Sequence, residues 1–153
     1  GRRYCTENTL YFSLLAARLL RENPDRLRAM AEIQSHACRA REWGHKFRRD
    51  AQRQSALDAV TDYFTARGAS VLERLPDGSD LEGTMMRAGL PFEITEDVAI
   101  PDSWLQVSQR PSQSEDGLAR WELVGSAPDL VHEAKTAILR IVAEHGGGPE
   151  YQG

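Results

Sequence analysis

The chain has 153 residues, 41% of them hydrophobic and 27% charged, with 12 Gly, 7 Pro, 2 Cys and a formal net charge of −4. A length near this supports one hydrophobic core without staples, and the composition excludes a collagen-like, a cysteine-stapled or a wholly disordered chain. The longest apolar stretch, Leu10 to Leu20, is interrupted by Ser13 and Arg18 and is too short for the roughly 30 Å hydrocarbon core of a bilayer, so no membrane contact of the spanning kind is expected.

The net charge hides an asymmetry. Residues 1–55 hold twelve Arg/Lys against six Asp/Glu, a net of +6, whereas residues 56–153 hold seven against seventeen, a net of −10. Such a split suits an end that meets a polyanion or an acidic surface, or two ends that neutralise each other within a fold or dimer. Cys5 and Cys38 can form at most one bridge, and a reducing intracellular setting is expected, the cytoplasm first and an organelle as the alternative.

In chain order, the leucines of Thr9 to Glu22 lie around most of a helix, which predicts burial on more than one side. Asn23-Pro24-Asp25 is a stop and restart. A second helix is expected next, because Met30, Ile33, Ala37, Ala40, Gly44, Phe47 and Ala51 recur at spacings of three and four. Within that seam Met30, Ile33, Ala37, Ala40 and Phe47 are the candidate interface with a second copy or another protein. Ser55 and Asp58 resemble a capping box for a third helix over 56–67, with Gly68 just past its end.

Beyond Gly68 the period changes. Ser70 to Leu75 is a candidate strand, Pro76-Asp77-Gly78 a turn, and Ser79 with Glu82 a capping box for a short helix ending at Gly89. Leu90, Phe92 and Ile94 alternate weakly as an edge strand, and Trp104 to Arg110 and Leu118 to Val124 form a hairpin around a long polar loop. The last helix has the stripe Leu130, Val131, Ala134, Ala137, Ile138, Ile141, Val142, with Ser126 or Asp129 as cap and Gly146 to Gly148 as stop. The fold class expected is α+β: an N-terminal helical extension, then a helix, a small antiparallel sheet of three or four strands and a long C-terminal helix. The corresponding divisions are a basic helical arm over 1–54, an acidic α+β domain over 55–146 and a flexible tail over 147–153.

No catalytic constellation, cofactor or metal is expected. Cys5, His36, Cys38 and His45 are of the types zinc takes but lack paired-ligand spacing. Arg39 and His45 have the Arg-x₅-His spacing of some helical, metal-independent ribonucleases, a spacing that seventeen arginines and four histidines produce by chance. More informative is the stretch His36 to Arg53, where Arg39, Arg41, Lys46, Arg48 and Arg49 surround Trp43 and Phe47. On a helix, arginines beside exposed aromatics suit phosphate contacts and base stacking, so Arg39, Arg41, Trp43, Lys46, Arg48 and Arg49, together with Lys135, are candidate nucleic-acid contacts.

From Ala56 onward, Leu57, Tyr63, Phe64, Arg67 and Gly68 in one helix, then Gly125-Ser126 and Glu133-Ala134-Lys135 with Ala137 and Leu139 in the last, resemble a degenerate double-stranded RNA-binding domain. The resemblance implies the order helix, three strands, helix, and a lysine cluster opening the last helix, of which this chain keeps Lys135. It also implies RNA or protein as partner. A winged-helix DNA binder, with 104–124 as its wing, is the competing arrangement. The expected function is a non-enzymatic interaction or assembly module, a homodimer or a subunit of a larger complex; a nucleic-acid-binding regulator and a helical ribonuclease are the alternatives.

Overall fold

The computed structural model describes residues 9–25, 28, 31, 35–74, 78–91 and 99–151. The chain forms two compact units, residues 1–36 and 37–153. In the first, α1 runs over Thr9–Glu22 and ends where Asn23 N–H donates to Leu19 O at 2.8 Å, immediately before Pro24. Among the described residues no helix is long and apolar enough to cross a membrane.

The second unit reads β1 (Cys38–Lys46), α2 (Asp50–Thr65), β2 (Ser70–Arg74), β3 (Asp80–Ala88), β4 (Leu105–Pro111), β5 (Leu118–Gly125), α3 (Pro128–Glu144) and β6 (Glu150–Tyr151). The molecule is therefore α+β: among the described residues, helices α1, α2 and α3 accompany one six-stranded antiparallel sheet in the order β2-β3-β4-β5-β1-β6. Strands β2 to β5 form a meander, and β1 pairs with β5 on one side and with the short β6 on the other. Because β1 and β2 lie far apart in the sheet, α2 carries the chain between them.

Alternation sets which face each strand residue occupies. In β5, Ala119, Trp121 and Leu123 are buried, while Arg120 and Glu122 between them reach the other side. Trp43, Met86 and Val107 join them from β1, β3 and β4. Helices α2 and α3 cover that face with Ala56, Leu57, Val60 and Phe64, and with Val131, Ala134, Ile138, Ile141 and Val142. Gln109, like His45, is a buried polar residue of this layer. Its amide donates to Leu57 O and Thr61 Oγ1, each at 2.8 Å, and accepts from Trp121 Nε1 at 3.0 Å, so both ends of the buried amide have partners.

Several expectations need correction. Residues 38–46 form a strand, not part of a second helix. A bulge between Ala40 and Trp43 inserts an extra residue, so these two, three apart, meet the same face and imitate helical spacing. The boundary expected at residue 54 consequently falls inside α2, which begins six residues before the expected helix at 56. Ser55 is thus inside α2, not at its cap, and its Oγ meets His145 Nδ1 at 2.9 Å. The short helix expected from Ser79 to Gly89 is β3; Asp80 Oδ1 accepts from Glu82 N–H at 2.7 Å, a local turn contact rather than a helix cap.

Among the described residues six strands are present where three or four were expected, and four of them lie between α2 and α3. The last long helix is followed by β6, so residues 147–151 are not a free tail. Gly148 N–H donates to Lys46 O at 2.9 Å, and His45 Nδ1 lies 2.7 Å from Gly148 O. The 104–124 hairpin occurs as expected, as β4 and β5. Phe92, Ile94 and the Pro76-Asp77 turn lie outside the described residues.

Candidate functional site

The strand at 38–46 breaks up the basic, aromatic surface expected on one helix face. Alternation sends Trp43 inward, 1% exposed, with Lys135 Nζ 4.8 Å from its ring centroid, so it offers no face for a base. Lys135 is itself ion-paired to Glu150 at 2.9 Å. Arg39 lies on the opposite side of the sheet in an ion pair with Glu122. Arg41, Lys46, Arg48 and Arg49 remain exposed, none with a carboxylate partner among the described residues. Of the expected interface, Phe47 is core, Ala37 and Ala40 are half-buried, and Met30 and Ile33 lie outside the described residues.

Arg39 and His45 are not brought together. His45 is buried under the helices, and six residues of strand containing one bulge place Arg39 on the opposite face. Cys38 is a half-buried free thiol, Cys5 is outside the described residues, and no three described His, Cys, Asp or Glu side chains are placed to hold a metal ion. A cleft of about 680 Å³ beside α2 and β3 is lined by Asp58, Asp62, Glu73, Asp80 and Glu82, with Arg74 as its cation.

Away from the helices, the centre of the sheet carries charge. Glu42 receives Arg120 at 2.8 Å and Arg110 at 3.0 Å, and Arg120 also reaches Glu115 at 3.2 Å. Burial, the largest single influence on Glu42, would raise its pKa, but the hydrogen bonds and charges of the two arginines together outweigh it and hold the carboxyl below the ordinary value. The Glu42 hydrogen bond correspondingly raises Arg120, against a smaller opposing effect of desolvation.

Two surfaces escaped the sequence reading. The first is α1, whose Tyr11, Phe12, Leu14, Leu15, Leu19 and Leu20 are all exposed, Leu14 the most at 63%. They extend around more than half of the helix circumference. The sequence signalled an apolar helix, but not that its apolar surface would be left uncovered. The second is a groove of about 380 Å³ walled by Tyr63 and Phe64 of α2, Trp104 and Leu105 at the start of β4, and Leu130 of α3, with Arg67 and Glu133 also lining it. With Ala88 and Gly89 at the end of β3, four separate chain segments build it, so no local motif could reveal it. Set against known proteins, the chain matches no family model, no curated protein and no solved structure.

Proposed function

We propose that the chain is a non-enzymatic assembly module that associates with a second copy of itself through α1. The observation that carries this reading is the uncovered apolar surface of that helix. A contiguous apolar patch on a folded protein marks an interaction surface, and a 14-residue helix is marginal in water unless an apolar face is packed. A second α1 supplies a surface of the same chemistry, as a two-fold interface requires. The Arg18–Glu22 pair, at 2.8 Å, gives the helix its charged edge.

The test is the mass of the full chain by sedimentation over a range of concentrations, alone and with Leu14→Glu and Leu19→Glu combined. The unsubstituted chain should be a dimer or larger and the double variant a monomer with the same near-ultraviolet signal from its buried tryptophans. A strict monomer at every concentration overturns the reading.

A second reading, a nucleic-acid-binding regulator, draws support from Arg41, Lys46, Arg48 and Arg49, which lie within about nine residues, are exposed and have no carboxylate partner among the described residues. Phosphate contacts by these side chains would make affinity fall with a log–log salt slope of about −0.9 per phosphate on duplex DNA. Binding to neither duplex RNA nor duplex DNA at low salt removes this reading.

A further inference from the structure

We propose that the groove between α2, α3 and the start of β4 binds a free amino acid with an aromatic or branched apolar side chain. Its volume, about 380 Å³, is at the lower end of the roughly 300–1,000 Å³ of small-molecule sites, which suits one small ligand rather than a docked helix. The walls are Tyr63, Phe64, Trp104, Leu105 and Leu130, predominantly aromatic and aliphatic. An apolar side chain is the group they exclude from water.

Charge selects the rest of the ligand. Arg67 and Glu133 both line the groove, yet neither forms an ion pair with the other or with any other described residue. The Arg67 guanidinium is fixed in place: its Cζ lies 3.5 Å from the Tyr63 ring centroid, and Nη1 donates to Tyr63 O at 2.9 Å. Its Nε–Nη2 edge stays available, the geometry that takes a carboxylate through two parallel hydrogen bonds. A ligand bearing only an anion would leave Glu133 uncompensated and adverse, and one bearing only a cation would meet Arg67. A zwitterion answers both, its carboxylate on Arg67 and its ammonium on Glu133.

The wall at Trp104 is preformed. Trp104 N–H donates to Ser126 Oγ at 3.0 Å, and Trp104 O accepts from Ser126 N–H at 3.0 Å. Gly89, at φ +73°, lets the end of β3 approach so closely that a Cβ there would lie 2.3 Å from Ser103 O. The backbone is thereby held on both sides while the indole stays half-exposed over the groove. Such preorganisation lowers the ordering cost of binding.

Calorimetric titration of the full chain with L-phenylalanine and L-leucine tests the proposal, with phenylalaninamide lacking the carboxylate and N-acetylphenylalanine lacking the ammonium. At least one free amino acid should bind saturably, with both blocked analogues at least about tenfold weaker, the loss expected when a charge-assisted contact of about 1.4 kcal/mol or more is removed. Arg67→Met should abolish the preference over the amide and Glu133→Gln the preference over the N-acetyl compound. Both variants should keep the parent's circular dichroism spectrum and a cooperative melt, since both side chains are at the surface. Absence of saturable binding by either amino acid up to about 10 mM overturns the proposal. So does binding that the blocked analogues or the two substitutions leave unchanged.

Discussion

The two faces of the sheet are made by the same strands and obey opposite rules. Toward α2 and α3, β1, β3, β4 and β5 present Trp43, Met86, Val107, Trp121 and Leu123, all essentially removed from water. Away from the helices, β1, β4 and β5 present Arg39, Glu42, Arg110, Arg120 and Glu122, joined in ion pairs. One residue along a strand is enough to pass from one regime to the other. The comparison teaches that stability is concentrated in the covered layer, where burial is complete, while the open layer fixes surface chemistry at small energetic cost.

The most direct way to break that comparison is Trp121→Ala. Removing a core tryptophan costs about 3–5 kcal/mol, a large part of the roughly 5–15 kcal/mol stability of a domain. The urea midpoint should fall steeply at unchanged slope. A loss under about 1 kcal/mol would be that of an ordinary surface position and would refute the assignment of stability to the covered layer. Gln109→Leu probes the same layer through polarity rather than volume. Leucine fills a similar space but leaves Leu57 O, Thr61 Oγ1 and Trp121 Nε1 short of the partner that Gln109 supplied to each. Leu57 O keeps the Thr61 hydroxyl at 3.1 Å, so the group left unsatisfied is the buried Trp121 Nε1–H, and the expected loss is about 1–3 kcal/mol by denaturant unfolding. A neutral outcome would mean that water already reaches these groups.

What the sequence made legible divides along the same line. The hairpin of β4 and β5 and the stripe of α3 were readable because uninterrupted alternation and an uninterrupted 3.6-residue period each have one interpretation. Strand β1 was not. Its bulge puts Ala40 and Trp43 on one face three residues apart, and with Phe47 four residues further on the pattern matches a helical seam. That misreading carried the candidate site with it: on a helix, Arg39, Trp43 and Lys46 share a side, whereas on the bulged strand Trp43 is core and Arg39 is across the sheet. Strand β3 was lost for a related reason. Ser79 and Glu82 have cap spacing, but the Asp80 carboxylate takes the Glu82 N–H in a turn that leads into a strand. The groove at Arg67 and Trp104 was invisible because its residues meet only after α2 has crossed the sheet.

The open face responds to a finer probe, Glu42→Gln. The amide keeps the shape of the carboxylate but withdraws the charge shared by Arg110 and Arg120, leaving Arg120 its second partner Glu115. Glu42 is about one-third exposed and Arg110 more than half, so solvent screening limits the loss to about 1 kcal/mol at neutral pH. Its pH dependence separates a charge effect from a packing effect. Because the folded-state pKa of Glu42 is held below the ordinary 4.5, the unfolded chain binds the proton more tightly. The contribution of Glu42 is therefore complete above about 4.5 and is lost as the pH falls through the folded-state value. Urea unfolding of the parent and the variant should differ at neutral pH and converge in acid. A difference that persists unchanged in acid would place the effect of Glu42 in packing and remove the arginine pair from the account of the open face.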